Sequence, residues 1–210
     1  MIKTDTHKPA HILIEIFALL LLLQGVLALL KHIIVPFFPN TIFSEKMVTM
    51  VIMVALTLFL ICYSKTKQQK LSVFPGKFGK GYVICTCIIA VLYIATPANF
   101  LEGFPAIMSL LYGCIVTPVY EELLFRGYIW EKSKRAIKNE KIIYVLNIVL
   151  FAVWHIGYML PQIAVGNWIA VSWKIIAGVG YGLVLGFVRL KTKNCYSTIL
   201  LHGILNLFMV

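Results

Sequence analysis

The 210-residue sequence predicts an all-α fold: a polytopic membrane bundle of about seven transmembrane helices, with six to eight spans compatible with the run lengths. Three observations carry this. Hydrophobic residues make up 60% of the chain and charged residues only 13%, with a mean hydropathy of +0.91, far from a soluble domain. Apolar runs long enough to cross a bilayer recur along the whole chain. The basic residues lie between those runs, in alternate loops. That placement also removes the class a net charge of +11 would otherwise suggest. Short basic clusters between apolar runs suit lipid headgroups, so no nucleic-acid partner is expected.

The first span, roughly 12–35, is a Leu-rich run preceded by Lys3 and Lys8. It is too long for a signal-peptide core and no A-x-A-like site follows, so it reads as a retained span. The second and third, roughly 47–63 and 81–96, are short enough to tilt or to thin the bilayer locally. Between them lie Lys65, Lys67, Lys70, Lys77 and Lys80. The fourth, roughly 104–130, is followed by Lys132, Lys134, Arg135, Lys138 and Lys141. The fifth and sixth are placed at about 142–160 and 169–189, and Arg189, Lys191 and Lys193 lead into a short seventh at about 195–210. The opposite loops hold only Lys31, Lys46 and Lys174. The positive-inside rule then places the N-terminus in the cytoplasm and the C-terminus outside, and the short loops fit a bacterial plasma membrane. Residues 1–210 read as one integral-membrane domain whose motif-bearing core is about 104–210.

Packing signals accompany the spans. Gly178, Gly182 and Gly186, with Gly180 between them, give the sixth span a smooth face for close helix approach. Trp130, Trp168 and Trp173 lie near span ends, where an aromatic belt is expected. Cys62, Cys85, Cys87, Cys114 and Cys195 form no C-x-x-C pair and read as small membrane-embedded residues rather than disulfides or zinc ligands.

Ionisable groups at bilayer depth are costly and mark function by default. Three constellations qualify. In "VYEELLFRGYIW", residues 119–130, Glu122 and Arg126 stand four apart with the acid first, the favourable order for a helical ion pair. Glu121 is rotated about 100° from Glu122 and needs a partner on another span. Pro118 lacks an N–H and is expected to free carbonyls just before them. In "FAVWH", residues 151–155, His155 shares a face with Phe151, and Asn147 lies a further turn back. In "HGILN", residues 202–206, His202 and Asn206 face the same way. Taken singly, each has a structural reading: ion pair, packing residue, interhelical hydrogen bond. At 1.5 Å per residue, Glu121, His155 and His202 lie roughly 15, 20 and 10 Å from the cytoplasmic span ends, so one cavity in or near the cytoplasmic half can hold all three.

One free carboxylate, two histidines and an amide suit water activation. The carboxylate with a histidine serves as general base. A histidine N–H and the Asn amide donate to the oxyanion formed when water attacks an amide carbonyl. No G-x-S-x-G or H-E-x-x-H is present.

Glu121-Glu122-x-x-x-Arg126, Phe151-x-x-x-His155 and His202-x-x-x-Asn206, in this order on successive helices, resemble the CPBP family of CAAX proteases and bacteriocin-processing enzymes, also called Abi. Residues 1–110 carry no family signature. The resemblance implies an intramembrane glutamic endopeptidase without a cofactor, acting near the cytoplasmic side on a peptide or membrane-anchored substrate. It implies Glu121 activating water with His155, His202 and Asn206 forming the oxyanion hole, and Glu122, Arg126 and Phe151 supporting the site. It also implies a setting in bacteriocin or pheromone processing, or in self-immunity. The alternatives are a zinc protease with Glu121, His155 and His202 as ligands, a non-enzymatic immunity or scaffold protein, and a proton-coupled transporter, whose inverted repeat is missing. Oligomeric state and substrate are not legible.

Overall fold

The computed structural model describes residues 9–209, so the expectations for Lys3 and Lys8 lie outside the described residues. Every regular element among the described residues is helical. Helix α1 spans Pro9–Ile34 and ends in a 3₁₀ turn, Val35–Phe37. Helix α2, Ile42–Thr66, starts where the Thr41 hydroxyl accepts from the Ser44 amide, a side-chain N-cap. Helix α3, Lys80–Ile94, is followed by the short α4, Pro97–Leu101. The long α5 runs unbroken over Phe104–Ser133. Helix α6 is Glu140–Tyr158, α7 the single turn Leu160–Ala164, α8 Trp168–Thr192 and α9 Tyr196–Met209.

The chain is thus an all-α membrane protein. Six helices are long and apolar enough to cross a bilayer, and α9 is apolar but shorter. At 1.5 Å per residue, the 14 residues of α9 cover only about 21 Å, less than a hydrocarbon core of about 30 Å. The seventh apolar segment therefore exists as a helix that is shorter, over the described residues, than the other six.

The arrangement follows from which faces are apolar and which are small. Helix α5 is the axis: from Tyr120 to Trp130 every residue is buried. Helices α1 and α2 cover it with Ile16, Leu23, Met53 and Leu60, all buried. Helix α3 is peripheral; only 6% of its apolar window is buried, and it leaves Ile84, Ile88 and Val91 facing outward, as lipid contact requires. The glycine face of α8 does what the spacing predicts. A Cβ on Gly178 or Gly182 would stand 3.1 Å from the Cα of Ala152 or Ile148 on α6, so the two backbones meet with no side chain between them.

The tryptophan expectation is only partly met. Trp168 and Trp173 are exposed, but Trp130 is fully buried, with the Arg189 guanidinium 5.6 Å over its ring. Its position near the predicted end of a span was misleading because α5 continues another turn, to Ser133. Arg189, which the sequence places among loop charges, is likewise buried: its Nε donates to the Arg126 carbonyl (2.8 Å) and its Nη2 to Glu131 (2.5 Å).

That end of the bundle, where the basic loops lie, is closed. Ser72 donates to Glu131 (3.1 Å), and the Cys195 and Tyr196 amides donate to the Ser72 and Val73 carbonyls (3.0 and 2.9 Å). The loop between α2 and α3 is in this way stitched to the start of α9. Phe74, Phe78, Tyr82 and Tyr196 pack ring to ring beside it, with centroids 5.0–6.2 Å apart.

Candidate active site

The site is organised by the irregularity of α5. Two stretches of wider π turns, Leu111–Val116 and Leu123–Ile129, flank the α-helical Thr117–Glu122. Pro118 has no N–H, so the carbonyls one turn before it lose their helical donor. Both find side-chain donors instead. The Gly113 carbonyl accepts from Asn206 Nδ2 (2.6 Å), and the Cys114 carbonyl from the Tyr93 hydroxyl (3.2 Å). The second π stretch likewise presents the Phe125 carbonyl to Asn147 Nδ2 (2.8 Å). A proline and two widened turns thereby tie α5 to α3, α6 and α9 at the level of the glutamates.

Glu122 and Arg126 form the expected ion pair at 3.1 Å, both with no side-chain exposure. The carboxylate does more than that: its Oε1 also accepts from His202 Nδ1 (2.9 Å), 80 residues away. The guanidinium lies 4.2 Å over the Phe151 ring, which meets Phe125 edge-on at 5.0 Å. Glu122 thus joins three motifs, binding Arg126 beside Phe151 and orienting His202. Removing any one member leaves a buried charge or donor unmatched.

Glu121 points elsewhere, as helical geometry requires. Its Oε1 accepts from the Tyr158 hydroxyl (3.2 Å), and its Oε2 lies 3.9 Å from His202 Nε2, beyond direct hydrogen bonding. Tyr158 in turn accepts from the Trp154 indole N–H (2.8 Å). An indole only donates, so the hydroxyl hydrogen is directed at Glu121 and holds Oε1 as an acceptor. Tyr158 and Trp154 are site residues that sequence reading missed. The signal available was their position: Trp154 and Tyr158 are four apart on α6, and Tyr158 is three residues beyond His155.

His155 Nδ1 lies 2.7 Å from the Phe151 carbonyl of its own helix. A carbonyl only accepts, so Nδ1 carries a hydrogen and Nε2 is the atom free for acid–base work. Gly178 makes room for this ring: a Cβ there would stand 3.3 Å from Nδ1. Asn206 is fixed from both ends of its amide, accepting from Tyr181 (3.0 Å) while donating to Gly113. One N–H of its amide is left over. Gly203 permits the close approach of α9, since a Cβ there would collide with the Tyr93 hydroxyl and the Cys114 carbonyl.

Glu121, His155, His202 and Asn206, from three separated stretches of sequence, all line one cavity of about 930 Å³. Glu122, Arg126 and Phe151 lie outside its lining, buried behind it. The cavity extends past Gln24, Thr117 and Tyr181 to a mouth formed by Lys31, Pro36, Glu45, Leu160 and Lys174. Those residues belong to the C-terminal end of α1 and its 3₁₀ turn, to the short α7 that follows α6, and to the N-terminal halves of α2 and α8. The sequence reading puts the chamber in the half of the bilayer nearer the basic loops; its mouth lies at the opposite end of the bundle. Side-chain depth along a span says how far a residue is from each end, not which end is open.

No group of three His, Cys, Asp or Glu side chains among the described residues is arranged to hold a metal ion. For the zinc alternative, His202 Nε2 and Glu121 Oε2 are 3.9 Å apart, and His202 Nδ1 is occupied by Glu122. All five cysteines are free.

Two comparisons with known proteins bear on the site. The family model described as type II CAAX prenyl endopeptidase Rce1-like matches residues 103–208, from the start of α5 to the end of α9. The UPF0177 protein YxdF of Lactococcus lactis is 30% identical over 94 residues, which covers 45% of this chain and 44% of that relative. The similarity therefore spans less than half of the relative's length. No solved structure matches.

Proposed function

The chain belongs to the Rce1-like family of type II CAAX prenyl endopeptidases, and on that premise we propose that it is an intramembrane endopeptidase using Glu121 to activate water. The observation that supports this best is the asymmetry of the adjacent glutamates. Glu122 is consumed by Arg126 and His202, while Glu121 keeps Oε2 uncommitted and lines the cavity. A water between Glu121 and His155 attacks the substrate carbonyl, and its proton passes to the carboxylate. The oxyanion is stabilised by the spare Asn206 N–H and by His202, whose ring the Glu122 carboxylate orients at 2.9 Å. Collapse breaks the C–N bond, the leaving amine takes the proton, and the products are a new C-terminal carboxylate and a free amine. Tyr158 keeps Glu121 from turning away from the water.

In this reading no cofactor takes part, and the substrate is a peptide or a membrane-anchored segment, as in bacteriocin or pheromone processing or self-immunity. The site lies at mid-depth, so the scissile bond must leave helical structure to reach it. The protein sits in a bacterial plasma membrane with its N-terminus inside.

The test compares peptides released from membranes carrying the wild type with those carrying Glu121→Gln. Fragments dependent on Glu121 support the reading; identical peptide profiles overturn it. Chelators are expected to leave cleavage intact, and loss restored by stoichiometric zinc would favour the metalloprotease instead. Full self-immunity conferred by Glu121→Gln would favour the non-enzymatic role.

A further inference from the structure

We infer that the reaction chamber is entered from the extracytoplasmic face, so that its substrate is an extended peptide segment presented on that side of the membrane. The inference rests on the peptidase reading for what enters, but not for where the chamber opens.

Two independent observations meet here. The first is charge. Of the 17 Lys and Arg among the described residues, 13 lie at or beyond one set of span ends, three (Lys31, Lys46 and Lys174) lie at the other, and Arg126 is inside. A bias of that size in short loops places the crowded end in the cytoplasm. The second is shape. The exposed residues of the cavity's lining include Pro36, Glu45, Leu160, Pro161 and Lys174 at the sparse end, so the mouth is read there, with two of those three lysines, Lys31 and Lys174, beside it.

The crowded end is closed at several levels. Directly behind the catalytic groups lies the Glu122–Arg126–Phe151 layer, and all three residues have no exposure. Beneath it, Arg189 ties α8 to the Arg126 carbonyl and to Glu131. Beneath that, residues 71–73 are hydrogen-bonded to Cys195 and Tyr196. A polypeptide reaching Glu121 from the basic side would have to break this whole sequence of contacts.

The mouth also fits its occupant. Apolar Val35, Pro36, Leu160 and Pro161 alternate there with the Lys31–Glu45 pair at 2.7 Å and with exposed Lys174. Such a rim accepts an apolar chain whose polar flank rests among headgroups. A volume of about 930 Å³ has room for a short extended stretch rather than a folded helix pair.

The test is thiol labelling of the full chain in intact cells with a membrane-impermeant, charged methanethiosulfonate. The background carries serine at the exposed Cys62, Cys85 and Cys87. Lys174→Cys at the mouth and Thr117→Cys within the chamber are expected to label before permeabilisation, and Lys138→Cys in the basic loop only after it. The opposite order at positions 174 and 138 overturns the orientation. Labelling of position 174 from outside with position 117 reached only after permeabilisation overturns the access route. The expected pattern in a protein that releases no Glu121-dependent peptide leaves the access route standing and removes the peptidase reading.

Discussion

Replacing Glu121 and Glu122 separately with glutamine should break two different things. The Glu122 carboxylate has no exposure and carries Arg126 at 3.1 Å and His202 at 2.9 Å. Glutamine keeps the shape but removes the charge, leaving a guanidinium with no exposure and without its direct ion-pair partner. Breaking a buried pair in this way costs about 3–5 kcal/mol. At 1.36 kcal/mol per decade, that is roughly two to four decades in the folded-to-unfolded ratio. By the scaling for domains of this length, it lowers the melting temperature by about 6–20 °C. Glu121 is also buried, but its side-chain hydrogen bond among the described residues is the one accepted from Tyr158, and a glutamine carbonyl can accept that too. The stability change should stay within about 1 kcal/mol. Activity should instead fall by at least about 100-fold, since the proton acceptor is gone. Thermal unfolding of both variants in one detergent, with peptide release measured in parallel, checks this. Two outcomes would refute the reasoning: a Glu122→Gln protein that melts like the wild type, or a Glu121→Gln protein that unfolds early and cleaves normally.

Tyr158→Phe removes the hydroxyl that holds Glu121 and leaves the Trp154 N–H unmatched. A drop in kcat of about tenfold with KM little changed is expected in steady-state cleavage, because a positioning contact is lost rather than a binding one. Asn206→Ala should lower kcat by roughly 100-fold while the protein stays folded, as removing one oxyanion donor does elsewhere; a purely KM effect would move Asn206 to substrate binding. Gly182→Leu forces a branched side chain against Ile148, and a loss of about 1–3 kcal/mol should appear as reduced yield and a lower melting temperature. Gly180→Leu meets open space in the structure and should be tolerated, which serves as the internal control.

Much of this protein was legible in one dimension. Composition and run length were enough for the all-helical membrane class, because a bilayer imposes one requirement on every span and writes it as uninterrupted apolar residues. Local geometry was legible too. The Glu122–Arg126 pair, the divergence of Glu121 and the glycine face of α8 all follow from residues three or four apart on one helix. What spacing along a helix cannot carry is which neighbour each face meets, or how far one helix is shifted along the next. Hence Trp130 and Arg189 looked peripheral and proved central, since α5 extends past its predicted end and is overlaid there by α8. For the same reason His202 is bound to the structural glutamate, and Tyr158 supplies a contact that no motif contains. The sequence by itself determined which residues are chemically able to work inside a membrane, because isolated charges there must be paired or used. Only the tertiary structure decided which partners from other helices those carboxylates meet, His202 on Glu122 and Tyr158 on Glu121 at the cavity wall. It also decided which end of the bundle that cavity opens to, because these depend on packing between helices remote in sequence.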